Sequence, residues 1–140
     1  MNRVLQALVV AVAFPVWAGA QTPACSCPAS SGHAVKDLSR YKSAFAGRVS
    51  EIDGSKVSFE ILRVYKGARS KTLVLSAGAQ GCSFSFEKGQ SYLVYANGEK
   101  DSLSTDNCAP NRALGAATAE LRQLDLHTGQ AASPLRVASH

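Results

Sequence analysis

The sequence predicts a mainly β fold, a five-stranded barrel with one C-terminal α-helix packed on it. Three observations lead there. Between residues 43 and 97, short runs rich in β-branched and aromatic residues alternate with the turn signals Asp53-Gly54, Lys66-Gly67, Ser76-Ala77-Gly78 and Asn97-Gly98. The longest of these runs changes phase partway, as a strand must when a small barrel turns a corner. After Pro110 the apolar period switches to helical spacing.

The elements follow in order. Residues 44–52, AFAGRVSEI, alternate in part and end at Asp53-Gly54, a two-residue hairpin signal. In the next run, Val57, Phe59 and Ile61 share a face; the phase slips at Leu62, and Leu62 and Val64 continue that face. Thr72 to Leu75 is a short third strand. Ser91 to Ala96 is apolar on both faces, as expected of a central strand, and Leu103-Ser104-Thr105 is the fifth. Leu114, Ala117, Leu121 and Leu124 then mark a helix with Asn111 as its N-cap, running to Leu126. Thr128 to His140 has no period and reads as a flexible tail.

Met1 to Ala20 reads as a secretory signal peptide. Arg3 gives the positive end, Ala7 to Phe14 the uncharged apolar stretch, and Pro15 breaks it ahead of Ala18-Gly19-Ala20, a small-x-small cleavage site. The apolar run is far shorter than the ~20 residues of a membrane span, and no other segment is a candidate. Cleavage there leaves one domain, residues 21–127, plus the tail, in a secreted or periplasmic setting where cysteines pair. Thr22 and Ala24 form a second small-x-small pattern, with Pro23 between them opposing cleavage before Cys25.

The 140 residues carry a net charge of +5, are 46% apolar and 18% charged. Such a chain is not disordered as a whole, and the weak, dispersed positive charge gives no nucleic-acid footprint. The four cysteines are Cys25, Cys27, Cys82 and Cys108. Residues one apart in an extended segment point to opposite sides, so Cys25 and Cys27 are poorly placed to bond each other, and each reaches for Cys82 or Cys108.

The C-x-C-P start, Ala44-Phe45-Ala46-Gly47-Arg48-Val49, Phe59 with Leu62-Arg63-Val64-Tyr65-Lys66-Gly67, Gly81-Cys82, Gly89, Tyr92-Leu93-Val94-Tyr95-Ala96, and Cys108 before a helix together form a pattern. In it the chain resembles the inhibitory domain of the tissue inhibitors of metalloproteinases (TIMP-like), and more broadly the netrin-like (NTR) modules, in a bacterial-type single-domain form. The resemblance covers Cys25 to Leu126. It implies a disulfide-stapled OB-fold Greek-key barrel with Cys25 paired to Cys82 and Cys27 to Cys108. It also implies a metalloprotease inhibitor that is not an enzyme and has no cofactor or intrinsic metal. In the family, the α-amine and carbonyl of the first cysteine chelate the zinc of a metalloendopeptidase, and the next residue, Ser26 here, enters its specificity pocket. Cys25, Ser26, Cys27 and Pro28 are then the protease-contacting residues. An amine ligates zinc only when it is free, and cleavage after Ala20 leaves Gln21 to Ala24 ahead of Cys25. The alternative is therefore a non-inhibitory netrin-like module binding an extracellular or envelope protein. A thiol oxidoreductase built on C-x-C is a third class.

Other chemistry-bearing residues point to structure. His33, His127 and His140 are scattered, whereas a zinc site needs convergent ligands. Ser26, Ser83 and Ser85 lack a nucleophile-elbow context. Asp101 and Asp106 flank a turn and read as loop solvation or a cap. Arg63, Lys66, Arg69 and Lys71 read as a solvated hairpin tip, and Phe84, Phe86 and Tyr92 as core rings in preference to a base-stacking platform.

Overall fold

The computed structural model describes residues 25–29, 32–67, 69–78 and 81–130. The expected signal peptide, the Gln21–Ala24 segment and most of the expected tail lie outside them. The described elements are α1 (Ala34–Arg40), β1 (Ser43–Asp53), β2 (Lys56–Lys66), β3 (Thr72–Ser76), β4 (Ser91–Ala96), β5 (Arg112–Ala113), a 3-10 turn (Leu114–Ala116) and α2 (Thr118–Thr128).

Both edges of β1 are paired, which makes it the hub of an open antiparallel sheet in the order β3-β2-β1-β4-β5. The β1–β2 hairpin turns at Gly54-Ser55, one residue later than expected, because Asp53 pairs with Lys56. Gly54 has φ 58° and no non-glycine residue among those described has positive φ. A glycine with positive φ at the first loop position is the type II′ arrangement, whose twist matches the strands.

The phase slip expected at Leu62 is a register shift between β1 and β2. Ala46 pairs with Arg63 but Gly47 with Ile61, leaving Leu62 as the extra residue of a bulge. Val57, Phe59 and Ile61 belong to one face, and beyond the bulge Val64, opposite Phe45, continues it. Leu62 itself does not, being 41% exposed.

The fifth strand differs from expectation. Arg112–Ala113 pairs with Tyr92 and Leu93 at the outer edge of β4. Leu103–Thr105 forms only isolated bridges, from Ser104 to Ser76 and to Asn97. Ser76 N donates to Leu103 O at 2.9 Å and Thr105 N to Ser76 O at 2.8 Å, while Asn97 and Ser104 exchange backbone bonds of 2.9 and 2.8 Å. The segment therefore ties the end of β3 to the residue following β4.

Each face of the sheet buries its own cluster. One joins Phe45, Val49, Phe59, Leu75, Tyr92 and Val94. The other joins Ala44, Ala46, Tyr65, Leu93 and Tyr95 to Ala34 and Leu38 of α1 and to Leu114, Ala117 and Leu124. The alanines of β1 on this second face leave room for the helices, while its Phe45 fills the first.

Gly47 is required by that packing. A Cβ there would stand 3.1 Å from the Phe45 ring and 3.2 Å from the Glu60 carbonyl oxygen, and the latter is backbone of the paired strand. Gly47→Val is expected to cost about 1–3 kcal/mol by overpacking. The loss should read as a lower urea midpoint at unchanged m-value, with Gly47→Ala intermediate.

The helical period after Pro110 holds, but its start moves. Asn111 is not an N-cap: its carboxamide oxygen accepts from Tyr95 N at 2.8 Å and its nitrogen donates to Thr105 Oγ1 at 2.7 Å. With Asn111 so committed and Arg112–Ala113 on the sheet, the α-helix begins only at Thr118. It ends at Gly129 in the left-handed conformation, and Gln130 Nε2 reaches back to Val64 O at 2.8 Å.

Helix α1 was not expected, and its capping comes from distant elements. Its first amide, Ala34 N, donates to Gln123 Oε1 of α2 at 3.3 Å. At its C-terminal end, Lys66 Nζ donates to Leu38 O at 2.9 Å, a cation on the negative end of the helix. Arg63 Nη1 is 2.6 Å from Asp125 Oδ1, both side chains 10% exposed. Two members of the expected basic tip are thus committed to helix docking instead. Burial pushes the neighbouring Tyr65 phenol up to about 12, with the Asp125 charge adding to the shift and Arg63 opposing it.

Candidate functional site

The cysteines build one corner of the molecule. Cys25 is bonded to Cys82 and Cys27 to Cys108, spanning 57 and 81 residues, which is the pairing the resemblance implies. No cysteine is free. The two bridges lie side by side, with Cys25 Sγ 3.6 Å from Cys108 Sγ. Cys25 is half-buried, whereas Ser26, Cys27, Pro28 and Ala29 are exposed. The segment is therefore displayed on the surface while both its cysteines are anchored below, with Arg40 Nη1 adding a bond to Ala29 O at 3.3 Å.

The anchoring loops are themselves joined. Asn107 N donates to Cys82 O at 2.8 Å, linking the loop that carries Cys82 to the turn that carries Cys108. Asp106 Oδ1 accepts from Cys108 N at 2.8 Å and from Ala109 N at 3.1 Å, making Asp106 the cap of that turn. Thr105 Oγ1 donates to Tyr95 O at 2.6 Å and receives Asn111, so the turn is tied to the middle of the sheet. Asn107 and Asn111 are the supporting residues that sequence reasoning missed in this role. For Asn111 the visible signal was the density of Asx residues around Cys108, whose side chains bond backbone groups locally; Asn107 acts through its backbone amide, which no residue type announces.

One residue beyond Cys82, a groove of about 490 Å³ opens between the β1–β2 hairpin and residues 83–86. Ile52, Val57 and Ala77 meet Phe84 and Phe86 there, and Ser83 and Ser85 line it too. The rings form an interlocked stack. Phe86 meets Phe59 and Tyr92 edge-on at 5.2 and 5.0 Å, and Phe84 lies 4.6 Å from Phe86. These aromatics pack against the core, as their reading as core rings expected. Tyr92 is buried, its hydroxyl accepts from Glu87 N at 3.1 Å, and burial raises the phenol above its ordinary value.

The other singled-out residues do not converge with this corner. His33 precedes α1, His127 sits in the last turn of α2, and His140 lies outside the described residues. Asp101 lines a separate groove of about 440 Å³ beside Lys42, Lys100 and Val74. Among the described residues, the group of metal-ligating side chains that does come together is Cys25, Cys27 and Cys108. In disulfides they are not the thiolates that ligate metals. No helix among the described residues is long and apolar enough to cross a membrane.

No protein-family model matches this chain, and no curated protein matches it.

Proposed function

We propose that this chain is a secreted or periplasmic, non-enzymatic member of the TIMP-like and netrin-like class, built on an OB-type barrel. In this reading it inhibits a zinc metalloendopeptidase through Cys25, Ser26, Cys27 and Pro28. The observation that carries the reading is the exposed segment Cys25–Ala29, held at both cysteines by bridges to two loops that are hydrogen-bonded to each other. A segment fixed before binding loses little conformational entropy when it enters a cleft. The barrel reading is supported by Leu103–Thr105, whose bonds to Ser76 and Asn97 bring together strands that the sheet order leaves far apart.

The chemistry assigned to the segment is zinc ligation by the free α-amine and carbonyl oxygen of Cys25, displacing the metal-bound water that would attack a peptide. Protein beginning at Cys25 is expected to inhibit at least one member of a zinc endopeptidase panel. Acetylating its α-amine, or replacing Ser26 by Asp, should then raise the inhibition constant by at least about a hundredfold, roughly 2.7 kcal/mol. Unchanged inhibition after acetylation overturns the chelation mechanism.

The sequence observation favouring the netrin-like alternative is Gln21 to Ala24 ahead of Cys25. The intact mass of naturally exported protein separates the readings. A start at Cys25 supports the zinc ligand, and a start at Gln21 blocks it and supports a binding module.

A further inference from the structure

Strand β3 is one edge of the sheet, and its outer side is only partly covered. Lys71 O accepts from Ile61 N at 2.9 Å, so residue 71 faces β2, while Ser76 directs its N–H and C=O outward to Leu103 O and Thr105 N. Backbone groups alternate sides along a strand, so Thr72 and Val74 point theirs outward with Ser76. Beside them the covering segment is gone, because the chain before Leu103 turns back through the Ser102 N to Glu99 O bond of 3.0 Å. Among the described residues Val74 N–H, Val74 C=O and Thr72 N–H have no partner, and Thr72 O takes only the Ser70 hydroxyl, at 2.6 Å. These groups border the groove of about 440 Å³, whose lining includes Leu73, Val74 and Leu103.

We infer that this edge, Thr72 to Val74, takes up an extended acidic peptide segment of a partner protein by strand addition. The inference does not rest on the protease-inhibitor reading. An unpaired edge is a template for another strand, and β3, with the sequence TLVLS, has neither a proline nor a charge of its own to block one. Val74 adds an apolar contact, being 52% exposed. Bonds to the Val74 and Thr72 backbone give the added strand its affinity. Its side chains alternate, one set lying over Val74 and the next entering the groove beside Leu73 and Leu103, so the groove-facing position calls for an apolar residue.

Charge selects the acidic partner. Lys42 and Lys100 line the groove and Arg69 and Lys71 lie on the segment that leads into β3, all four exposed. Against them stand the carboxylates of Asp101, in the groove lining, and of Glu99. Of the four cations, only Lys42 has an ion-pair partner among the described residues, Glu99 at 3.3 Å. A positive surface of this kind attracts acidic segments and repels basic ones. It also argues against a second copy of this chain as the occupant. Pairing β3 with β3 would set the same cations against each other and bring each copy's Leu103–Thr105 segment into the path of the other.

The test titrates the oxidised full chain with a short, end-blocked peptide of alternating glutamate and valine, followed by amide chemical shifts and hydrogen exchange. The expected result is saturable binding, with the largest shifts and new exchange protection at the amides of Thr72 and Val74. The same peptide with its backbone nitrogens methylated is expected to bind at least about tenfold more weakly, because it cannot donate to the edge. Val74→Pro removes an outward donor without breaking a bond to β2 and is expected to weaken binding by a similar factor. The peptide with lysine in place of glutamate should bind at least about tenfold more weakly as well. No saturation at millimolar peptide overturns the inference, as do shifts centred away from β3 or equal binding of the methylated or the lysine peptide. Protection of the Val74 amide that grows with protein concentration in the absence of peptide overturns it in favour of a second copy.

Discussion

Asp125→Ala is expected to destabilise the protein by about 3–5 kcal/mol, the usual cost of removing one partner from a buried ion pair. Asp125 and Arg63 meet at 2.6 Å with both side chains 10% exposed, between α2 and the sheet. Removing the carboxylate leaves the guanidinium enclosed, beside a tyrosine whose own burial already excludes water. The buried charge then either stays uncompensated or is hydrated by lifting α2 off the sheet. Urea denaturation followed by tryptophan-independent far-ultraviolet circular dichroism measures the loss.

The same pair allows a sharper comparison. Arg63→Met/Asp125→Leu removes both charges and replaces them with apolar groups of comparable reach. Pairs of this kind are often neutral or stabilising when replaced together, because the desolvation cost disappears with the attraction. The double variant is therefore expected to recover most of what Asp125→Ala loses. A double variant as unstable as the single one would show that the geometry of the pair, more than the cost of an orphaned charge, holds α2 in place.

That ion pair also shows where sequence reasoning reaches and where it stops. The first four strands are readable in the sequence because their signals are local, whereas the two-residue β5, Arg112–Ala113, is too short to carry an alternation. Alternation marks a half-buried face, glycine marks the turns, and the change of parity from Val57, Phe59 and Ile61 to Val64 marks the bulge. Periodicity places Leu62 on the buried face because it cannot distinguish the bulged residue from its neighbour, and the extra residue leaves the pairing. Arg63 and Lys66 look like a solvated tip in the sequence for the same kind of reason. Their partners, Asp125 and the Leu38 carbonyl, are far away in sequence. Helix α1 has seven residues, too few to stand on propensity, and takes its caps from Gln123 and Lys66. Asn111 has the chemistry of an N-cap but spends it on Tyr95 and Thr105. At the candidate site, the C-x-C segment was visible as a motif. The choice of partner for each cysteine came from the family resemblance, since spacing left Cys82 and Cys108 interchangeable.

The second large effect is expected from the disulfides, and it should be non-additive in a specific direction. Taken alone, bridges closing 57 and 81 residues would each contribute about 4 kcal/mol on the chain-entropy model. Their N-terminal cysteines, however, are two positions apart. With one bridge in place, the other has only a short segment and the stretch between Cys82 and Cys108 left to close, a loop of roughly 30 residues worth about 3.5 kcal/mol. Cys27→Ser/Cys108→Ser is therefore expected to lose about 3.5 kcal/mol, and removing the second bridge as well to lose about 4 more. The first loss leaves a folded domain. The combined loss rivals the whole net stability of a domain this size, about 5–15 kcal/mol, so the four-serine variant should populate the unfolded state without denaturant. Urea titrations of the oxidised protein, each two-serine variant and the four-serine variant measure all the steps. Equal midpoints for the oxidised protein and a two-serine variant would mean that the hydrogen bonds of Asn107, Asp106 and Asn111 hold this corner by themselves, and that the bridges serve only to display Cys25 to Ala29.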